Sequence, residues 1–491
     1  MSPQSRCIFL DLLFERISFQ ELAKRRDLRS HTICSVDPPG CTDIDDALHC
    51  RVLDNGNFEV GVHIADVSHF IRPNTAIDEE AAVRGTTVYL VDKRIDMVPG
   101  LLSSNLCSLR GNEERYAFSV IWEVTPEVEF VRTEAFKSII KSSAALTYEQ
   151  AQLKIDDPSL KDELTLGLRR LNMLAKRMRK KRAEAGETHD PVEVQVKKML
   201  ETNSMVEEWM LKANMTVAAM IYETFPECAC LRRHPAPPVS SFEPVVKATN
   251  PRGFKIDVSS NKNLACSLDK AVVNENPYYN TMLRILTTRC MMQAVYFASG
   301  TIDYEEFYHY GLAAPIYTHF TSPIRRYADI IVHRLLAVTI GADSTYPGLT
   351  DKNRTQVICN NINYRHKMAQ YAGRASVNLH TRMFFKGRVS EEDGYVLQIR
   401  KNALQVLVPK YGLEATLFLE GKQIDPKIIK FVYDESEPSQ TCGSVKFSTF
   451  DKVVVQISID ESNVQREKLV LRLVHPKVPG FSVDPLPQKP K

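Results

Sequence analysis

Four aspartates crowd one short stretch of this chain, Cys34 to Cys50 (CSVDPPGCTDIDDALHC): Asp37, Asp43, Asp45 and Asp46. Pro38, Pro39 and Gly40 can continue neither a helix nor a central strand, so the backbone must bend between the first acid and the other three. Carboxylates held that close repel one another unless cations neutralise them. An all-oxygen donor set suits Mg²⁺ or Mn²⁺, which keep some waters and complete their shell with substrate phosphates. A solvated acidic turn uses the same residue types, and the Pro-Pro-Gly bend is what favours a built site over it. An EF-hand loop starting at Asp43 is excluded, because Leu48 falls where that loop needs Gly and Asp54 where it needs a bidentate Glu.

A second stretch with chemical character runs from Tyr310 to Arg334 (YGLAAPIYTHFTSPIRRYADIIVHR). Thr321 or Ser322 would cap a helix and Pro323 belongs in its first turn. Free backbone N–H groups, the positive end of a helix dipole, Arg325 and Arg326 would then share one locus, which suits phosphate. Pairing of both arginines with surface acids is the plainer alternative.

Alternation predicts a strand over Phe58 to Val67, after the turn-forming Asn55-Gly56. A helix is expected over Ile77 to Arg84, where Asp78, Glu79 and Glu80 favour an N-terminus. Thr86 to Val91 and Tyr116 to Val124 are β-branched and aromatic, as strands of that same sheet would be. Residues 149–185 read as helical, with Leu171, Leu174 and Met178 on a core side and the basic run Arg169 to Arg182 opposite. That basic side is a solvated face by default and a phosphate-facing wall as the minority reading. Further helices are expected over Ser204 to Phe225, with a capping box at Ser204-Met-Val-Glu207, and over Tyr279 to Phe297, Pro323 to Ile340 and Asn361 to Phe385. Short strands follow over Tyr395–Ile399, Ala403–Val408, Val453–Ile459 and Lys468–Val474, which suggest a small barrel of the OB type. The expected fold class is α+β: a mixed sheet with packed helices over 31–386, after a lead-in over 1–30. The barrel occupies 387–478 and a tail 479–491.

With 491 residues the chain is long enough for about two to four structural units. An apolar share of 44% and a charged share of 25% are ordinary for a globular chain. The net charge of +3 puts any affinity for nucleic acid in local basic surfaces, not in a global field. The eleven cysteines show no paired CxxC spacing and read as reduced, mostly buried thiols of an intracellular protein. The early apolar run Cys7 to Leu13 is too short for a signal peptide or a membrane span, so no membrane partner is expected.

The motifs SVDPPGCTDIDDALHC, HIADVSHFI, RGTTVYLVDKRIDMVP, LLSSNLCSLR, ETNSMVEEWM and YTHFTSPIRRYADIIVHRLL, in this order, resemble the ribonuclease II/R (RNB) exoribonuclease family. The likeness is to its eukaryotic, exosome-associated branch in particular, and it covers Asp27 to about Pro479. The resemblance implies an RNB catalytic domain followed by an OB-fold RNA-binding barrel. It further implies Mg²⁺-dependent 3′-to-5′ hydrolysis of single-stranded RNA to nucleoside 5′-monophosphates. By resemblance, Asp37 and Asp46 hold one Mg²⁺ with the scissile phosphate, while Asp45, with Asp43, serves catalysis through a second ion or the attacking water. Arg325 clamps the phosphate, with Arg326 beside it on the RNA. Tyr89 stacks on the last base, and Tyr148 and Glu207 contact the terminal sugars. Core packing is the alternative for the tyrosines, and the capping box competes for Glu207.

The same resemblance brings exosome core subunits as partners and the nucleus, nucleolus included, as the main compartment, with the cytoplasm as a further one. Two departures from the family are expected to matter. Before Thr32 there is no room for the family's cold-shock barrels or for the endonuclease domain of the exosome branch. Between Gly186 and Glu187 a strand-forming stretch is missing, which in bacterial members supplies the aromatic opposite Tyr89. Two rival readings therefore stand: an RNA-binding relic without activity, and a scaffold that docks on a larger assembly.

Overall fold

The computed structural model describes residues 19–185, 199–420, 429–463 and 467–487. The start of the lead-in, the Gly186–Glu187 junction with Glu187–Pro191, and the basic Gln488–Lys491 lie outside the described residues.

The main sheet begins with β1 (Arg26–Asp27), β2 (Ile33–Asp37), β3 (Asp46–Val52) and β4 (Phe58–Ala65). A small hairpin, β5 (Val88–Tyr89) and β6 (Arg94–Ile95), precedes β7 (Glu114–Val124) and the 18-residue β8 (Phe130–Thr147). The order is β1-β8-β2-β3-β4-β7, and β8 also pairs with β7. That second pairing closes the strands on themselves: β8 runs antiparallel to β7 through Phe130–Lys141, then parallel to β2 through Ser142–Thr147. Closure removes free edges, and it also lets one end of the barrel gather loops into a site. From Val60 to Ala65, β4 is buried on both faces, so its alternation is not an inside–outside pattern.

Helices cover the sheet. Helix Glu201–Thr224 buries Met205, Trp209, Val217 and Ile221, and Trp209 lies 6.0 Å from Trp122 of β7 between ring centroids. Helix Tyr327–Thr339 is buried from Tyr327 through Ala337, as expected for a stretch that is apolar almost all round. Helix Glu163–Ala185 buries Leu171, Leu174 and Met178. Several of its cations fasten neighbouring segments: Arg169 donates to the carbonyls of Ile155 and Leu160, and Arg182 to Glu208 at 3.0 Å. Part of the basic side is therefore not the solvated face expected by default but a brace between segments.

Some expected elements differ. Thr86–Val91 does not join the main sheet; only Val88–Tyr89 is strand, paired with Arg94–Ile95. The Thr87 N–H is drawn to the Arg325 carbonyl at 3.0 Å and the Val91 N–H to Ser376 Oγ at 3.1 Å, which leaves no ladder to extend. The expected helix Tyr279–Phe297 stops at Cys290, and Val295–Ala298 instead pairs with Cys230–Arg233. The aromatic, branched sequence VYFA prefers that half-buried ladder to another helical turn. No capping box forms at Ser204, because the helix already starts at Glu201, where Asn203 accepts from the Leu200 N–H at 3.0 Å.

Helix Lys352–Phe385 leads to the barrel, whose antiparallel sheet has the order Leu413–Phe418, Ala403–Val408, Ser390–Arg400, Lys452–Asp460, Lys468–His475. Val396, Leu404, Val455, Ile457 and Leu473 fill it. A separate apolar cluster joins it to the helices over 243–290: Tyr395, Leu397, Leu407 and Phe450 pack with Phe242, Leu264, Tyr279 and Leu283. Among the described residues no helix is long and apolar enough to cross a membrane, and the cysteines are unpaired and mostly buried.

Candidate active site

Strand pairing explains why the four aspartates meet. Cys34 of β2 faces Leu48 of β3 in an antiparallel pair, so Asp37 ends one strand where Asp46 begins the other. The connecting loop turns at Pro38, whose carbonyl accepts from the Cys41 N–H at 3.2 Å, and Gly40 takes the positive φ of 80° that the bend requires. Asp45 is buried and Asp37, Asp43 and Asp46 are half-buried or more.

Their electrostatics are those of acids held in a poorly solvated place. Burial pushes the Asp45 carboxyl up to about 7, against the pull of Arg325 and of the Ile324 N–H. Burial, with Asp43 as a like charge, pushes Asp37 up to about 6. Asp46 is raised well above the usual range by burial, then by Asp37 and Asp45. These neighbours confirm that the acids share one locus.

The second stretch arrives from 279 residues along the chain. The Ile324 N–H donates to Asp45 Oδ1 at 3.0 Å, and Arg325 Nε stands 3.4 Å from Asp45 Oδ2. Arg325 Nη2 donates to Ser322 Oγ at 2.9 Å, which holds the guanidinium over the acids. Arg326 turns the other way, its Nε and Nη2 donating to the two oxygens of Asp329 at 2.9 and 2.8 Å.

The expected helix start is corrected here. Helix Tyr327–Thr339 begins four residues after Pro323, with Arg326 at its N-cap. Asp329 Oδ1 accepts from the Ser322 N–H at 2.7 Å, and the Tyr327 N–H goes to the Gly85 carbonyl at 3.0 Å. Residues 322–326 are thus tied to neighbours as a turn ahead of the helix, and the Ser322, Ile324 and Tyr327 N–H groups are already taken by Asp329, Asp45 and Gly85. The Arg325 side chain is the cation that this turn directs at the acids.

Tyr89, half-exposed in the β5–β6 hairpin, feels Arg325, Asp43 and Asp45, and burial raises its phenol. Tyr148 opens helix Tyr148–Asp156, and burial, then Asp46 and Asp37, raise its hydroxyl. Both tyrosines therefore flank the acids. Glu207 does not: it lies in the second turn of its helix and lines a separate cavity of about 680 Å³ with Arg232, Arg284, His319 and Arg374. None of the four aspartates lines that cavity.

Sequence reasoning passed over three contributors. Arg94, opposite Tyr89 in the hairpin, forms an ion pair with Asp43 Oδ1. Asn214 Oδ1 accepts from the Phe320 N–H at 2.7 Å and positions the approach to Ser322. Asp329 fixes the turn itself. Only Asp329 had a local signal, its i+3 spacing from Arg326.

With this geometry in view, the comparisons are decisive. An RNB domain is matched over residues 25–341 and an S1 domain over 390–471. The chain belongs to the RNB family. It is 56% identical, over 97% of its length and 51% of the other's, to the exosome complex exonuclease RRP44 of Mus musculus. It thus spans about half the length of the curated relatives it matches. Among solved structures, apo RNase R of Mycoplasma genitalium superposes with a TM-score of 0.81 at 21% identity, over 96% of this chain and 75% of that one. Yeast Ssd1, described as a pseudonuclease, superposes at 0.76 with 19% identity, over 93% and 69%. The fold is therefore the α+β RNB domain followed by an S1 barrel of the OB type. Because both kinds of protein share it, the fold alone does not distinguish a nuclease from a relic, and the residues of the site must.

Proposed function

We propose that this chain is a 3′-to-5′ exoribonuclease that hydrolyses single-stranded RNA to nucleoside 5′-monophosphates. The observation that carries the reading is the joining of Asp37, Asp43, Asp45 and Asp46 to Arg325 at one locus, against the repulsion and burial that raise Asp37, Asp45 and Asp46. A site with no use for charge would not keep four carboxylates there.

The residues fit a hard divalent ion. Asp37 Oδ2 is buried with no hydrogen-bonding partner among the described residues. Asp37 and Asp46 stand at the facing ends of β2 and β3, and Mg²⁺ takes one or two carboxylates with waters and substrate oxygens for the rest of its shell. Asp37 and Asp46 would hold it, with Asp45 and Asp43 toward a second ion. Mg²⁺, or Mn²⁺, would supply an activated water and stabilise charge on the phosphate.

The chain's own groups do the rest. Arg325, held by Ser322, faces the charge that grows on the phosphate. Tyr89 stacks on the terminal base and Tyr148 approaches its sugar, which makes recognition indifferent to sequence. Glu207, in its separate cavity, meets ribose hydroxyls of the incoming strand, where Arg232, Arg284 and Arg374 pair with phosphates. Arg326 contributes to the RNA path through the turn it braces. The S1 barrel adds a further RNA-binding surface. By the same reading, exosome core subunits are partners and the chain acts where they do, in the nucleus, the nucleolus included, and in the cytoplasm. Co-purification of those subunits after nuclease treatment tests this.

End-labelled single-stranded RNA with Mg²⁺, and with EDTA, tests the activity. Mononucleotide release in the first and none in the second is expected. Binding without release in both would establish instead an RNA-binding relic.

Arg325→Ala is expected to remove about 2.7–4 kcal/mol of transition-state stabilisation, as deletion of one preorganised donor does. Single-turnover rates at saturating RNA measure it, and a change confined to affinity would make Arg325 a surface contact. Tyr89→Ala should weaken binding of the terminal nucleotide by about 1–3 kcal/mol, read as a rise in KM on short RNAs with little change in kcat.

A further inference from the structure

A polar ribbon crosses the main sheet away from the acids. His49 of β3, His63 of β4, Ser119 of β7 and Ser138 of β8 are linked in turn. His49 Nδ1 meets His63 Nε2 at 2.7 Å, His63 Nδ1 meets Ser119 Oγ at 2.7 Å, and Ser119 Oγ meets Ser138 Oγ at 2.6 Å. The far end of the ribbon sets its polarity. Ser138 donates to the Ala117 carbonyl at 3.3 Å, and a carbonyl can only accept. Ser119 therefore donates to Ser138, His63 Nδ1–H donates to Ser119, and His63 Nε2 accepts from His49 Nδ1–H.

At the near end, His49 Nε2 faces Glu59 Oε1, 3.3 Å away. His31 Nε2 stands 3.7 Å from the same oxygen. One ligand atom from each of the three lies within 4.8 Å of the others. Two imidazole nitrogens and a carboxylate oxygen thus converge on one point, the donor types that a borderline-soft cation takes. The backbone is shaped for this convergence: a Cβ on Gly61 would lie 2.2 Å from His49 Cε1 and 2.5 Å from Nδ1, so only glycine lets the ring lie across β4.

We propose that His31, His49 and Glu59 form a binding site for a divalent transition metal of the Zn²⁺ type. Ligand atoms around tetrahedral Zn²⁺ stand roughly 3.3–3.5 Å apart for the usual bond lengths, close to the separations present. Two imidazoles with one carboxylate are a Zn²⁺ donor set, whereas the all-oxygen aspartate cluster is not. A cavity of about 200 Å³ bordered by Ser30, Thr32, Arg51 and Glu163 opens onto His31 and His49 and leaves room for a water ligand. The His49–His63–Ser119 relay is what orients a metal-bound imidazole in known sites of this kind. The site is distinct from the acids: His49 lies three residues along β3 from Asp46, which places the two side chains on opposite faces. Arg51 is the competitor, since its Nε and Nη2 pair with Glu59 Oε1 and Oε2 at 2.7 and 2.9 Å.

The test titrates the purified chain, stripped of metal, with Zn²⁺ in excess Mg²⁺, by calorimetry. Co²⁺ serves as a visible probe of tetrahedral nitrogen ligation. One ion per chain is expected, with Co²⁺ showing tetrahedral d–d bands. His31→Ala and Glu59→Gln should each weaken it by at least tenfold, and Ser119→Ala by roughly 10–100-fold as loss of an orienting partner does. Arg51→Ala, a half-exposed change that threatens folding least, should tighten it. The proposal is overturned if the wild type binds no Zn²⁺, if His31→Ala and Glu59→Gln leave affinity unchanged, or if Arg51→Ala fails to tighten it. Loss of the bound ion in Asp37→Asn with retention in His31→Ala would equally overturn it, by placing the ion among the acids.

Discussion

Replacing Asp45 by Asn is expected to abolish RNA hydrolysis while RNA binds as well as before, or more tightly. Asn has nearly the same volume and keeps an oxygen that can accept from the Ile324 N–H, so the turn should survive. What disappears is one negative charge beside Arg325 and among three further carboxylates. Loss of turnover should exceed the roughly 10²–10³-fold that follows deletion of a single preorganised donor. Binding should not suffer, because one charge that repels phosphate has gone.

The same substitution should stabilise the metal-free protein near neutrality. The Asp45 carboxyl is raised from 3.8 to about 7 in the folded chain, so its contribution is fully present below about pH 3.8 and is lost as pH rises through 7. Near pH 7 the wild type carries a charge it would rather not hold in that place, and Asn does not. The difference in melting temperature between variant and wild type should therefore grow in the variant's favour from pH 4 to pH 7. Taking the difference removes the buried histidines, which titrate in both proteins alike. Melting curves in EDTA across that range measure it. A constant difference, or near wild-type turnover, would remove Asp45 from the catalytic role.

The acid cluster was legible because its cause is local: four carboxylates and a Pro-Pro-Gly bend within a few residues leave the chain few ways to fold. The barrel strands were legible for a similar reason, since Ala403–Val408 carries its own branched, apolar pattern. What could not be read were contests between local preference and distant partners. Thr321, Ser322 and Pro323 make a sound helix start, yet the Asp329 carboxylate and the Gly85 carbonyl take the N–H groups, and the helix waits until Tyr327. Ser204-Met-Val-Glu207 fits a capping box, but Asn203 caps one turn earlier and frees Glu207 for the cavity. Thr86–Val91 has strand propensity, and the carbonyl of Arg325 diverts it into a hairpin that sets Tyr89 and Arg94 beside the acids. In the first and last cases the distant partner that overrode the local signal also served the site.

Asp329 shows how far that dependence goes, and Asp329→Ala is expected to cost about 3–5 kcal/mol of stability, the penalty for breaking a buried pair from one side. Its carboxylate is fully buried and engages both Arg326 nitrogens and the Ser322 N–H. Alanine would leave a cation and a backbone donor without partners in the interior. The turn over 322–326 would then lose the anchor that presents the Ile324 N–H and Arg325 to Asp45. Activity should fall further than unfolding accounts for, even at temperatures where the variant is folded. Asp329→Asn separates the two effects: it keeps an acceptor for the Ser322 N–H but removes the charge that holds Arg326. It should therefore recover part of the turnover and less of the stability. Denaturant midpoints beside single-turnover rates measure both. If Asp329→Ala lost stability but kept the rate of the folded fraction, the turn would be set by Asn214 and Asp45 alone, and Asp329 would be a brace of the fold with no part in placing Arg325.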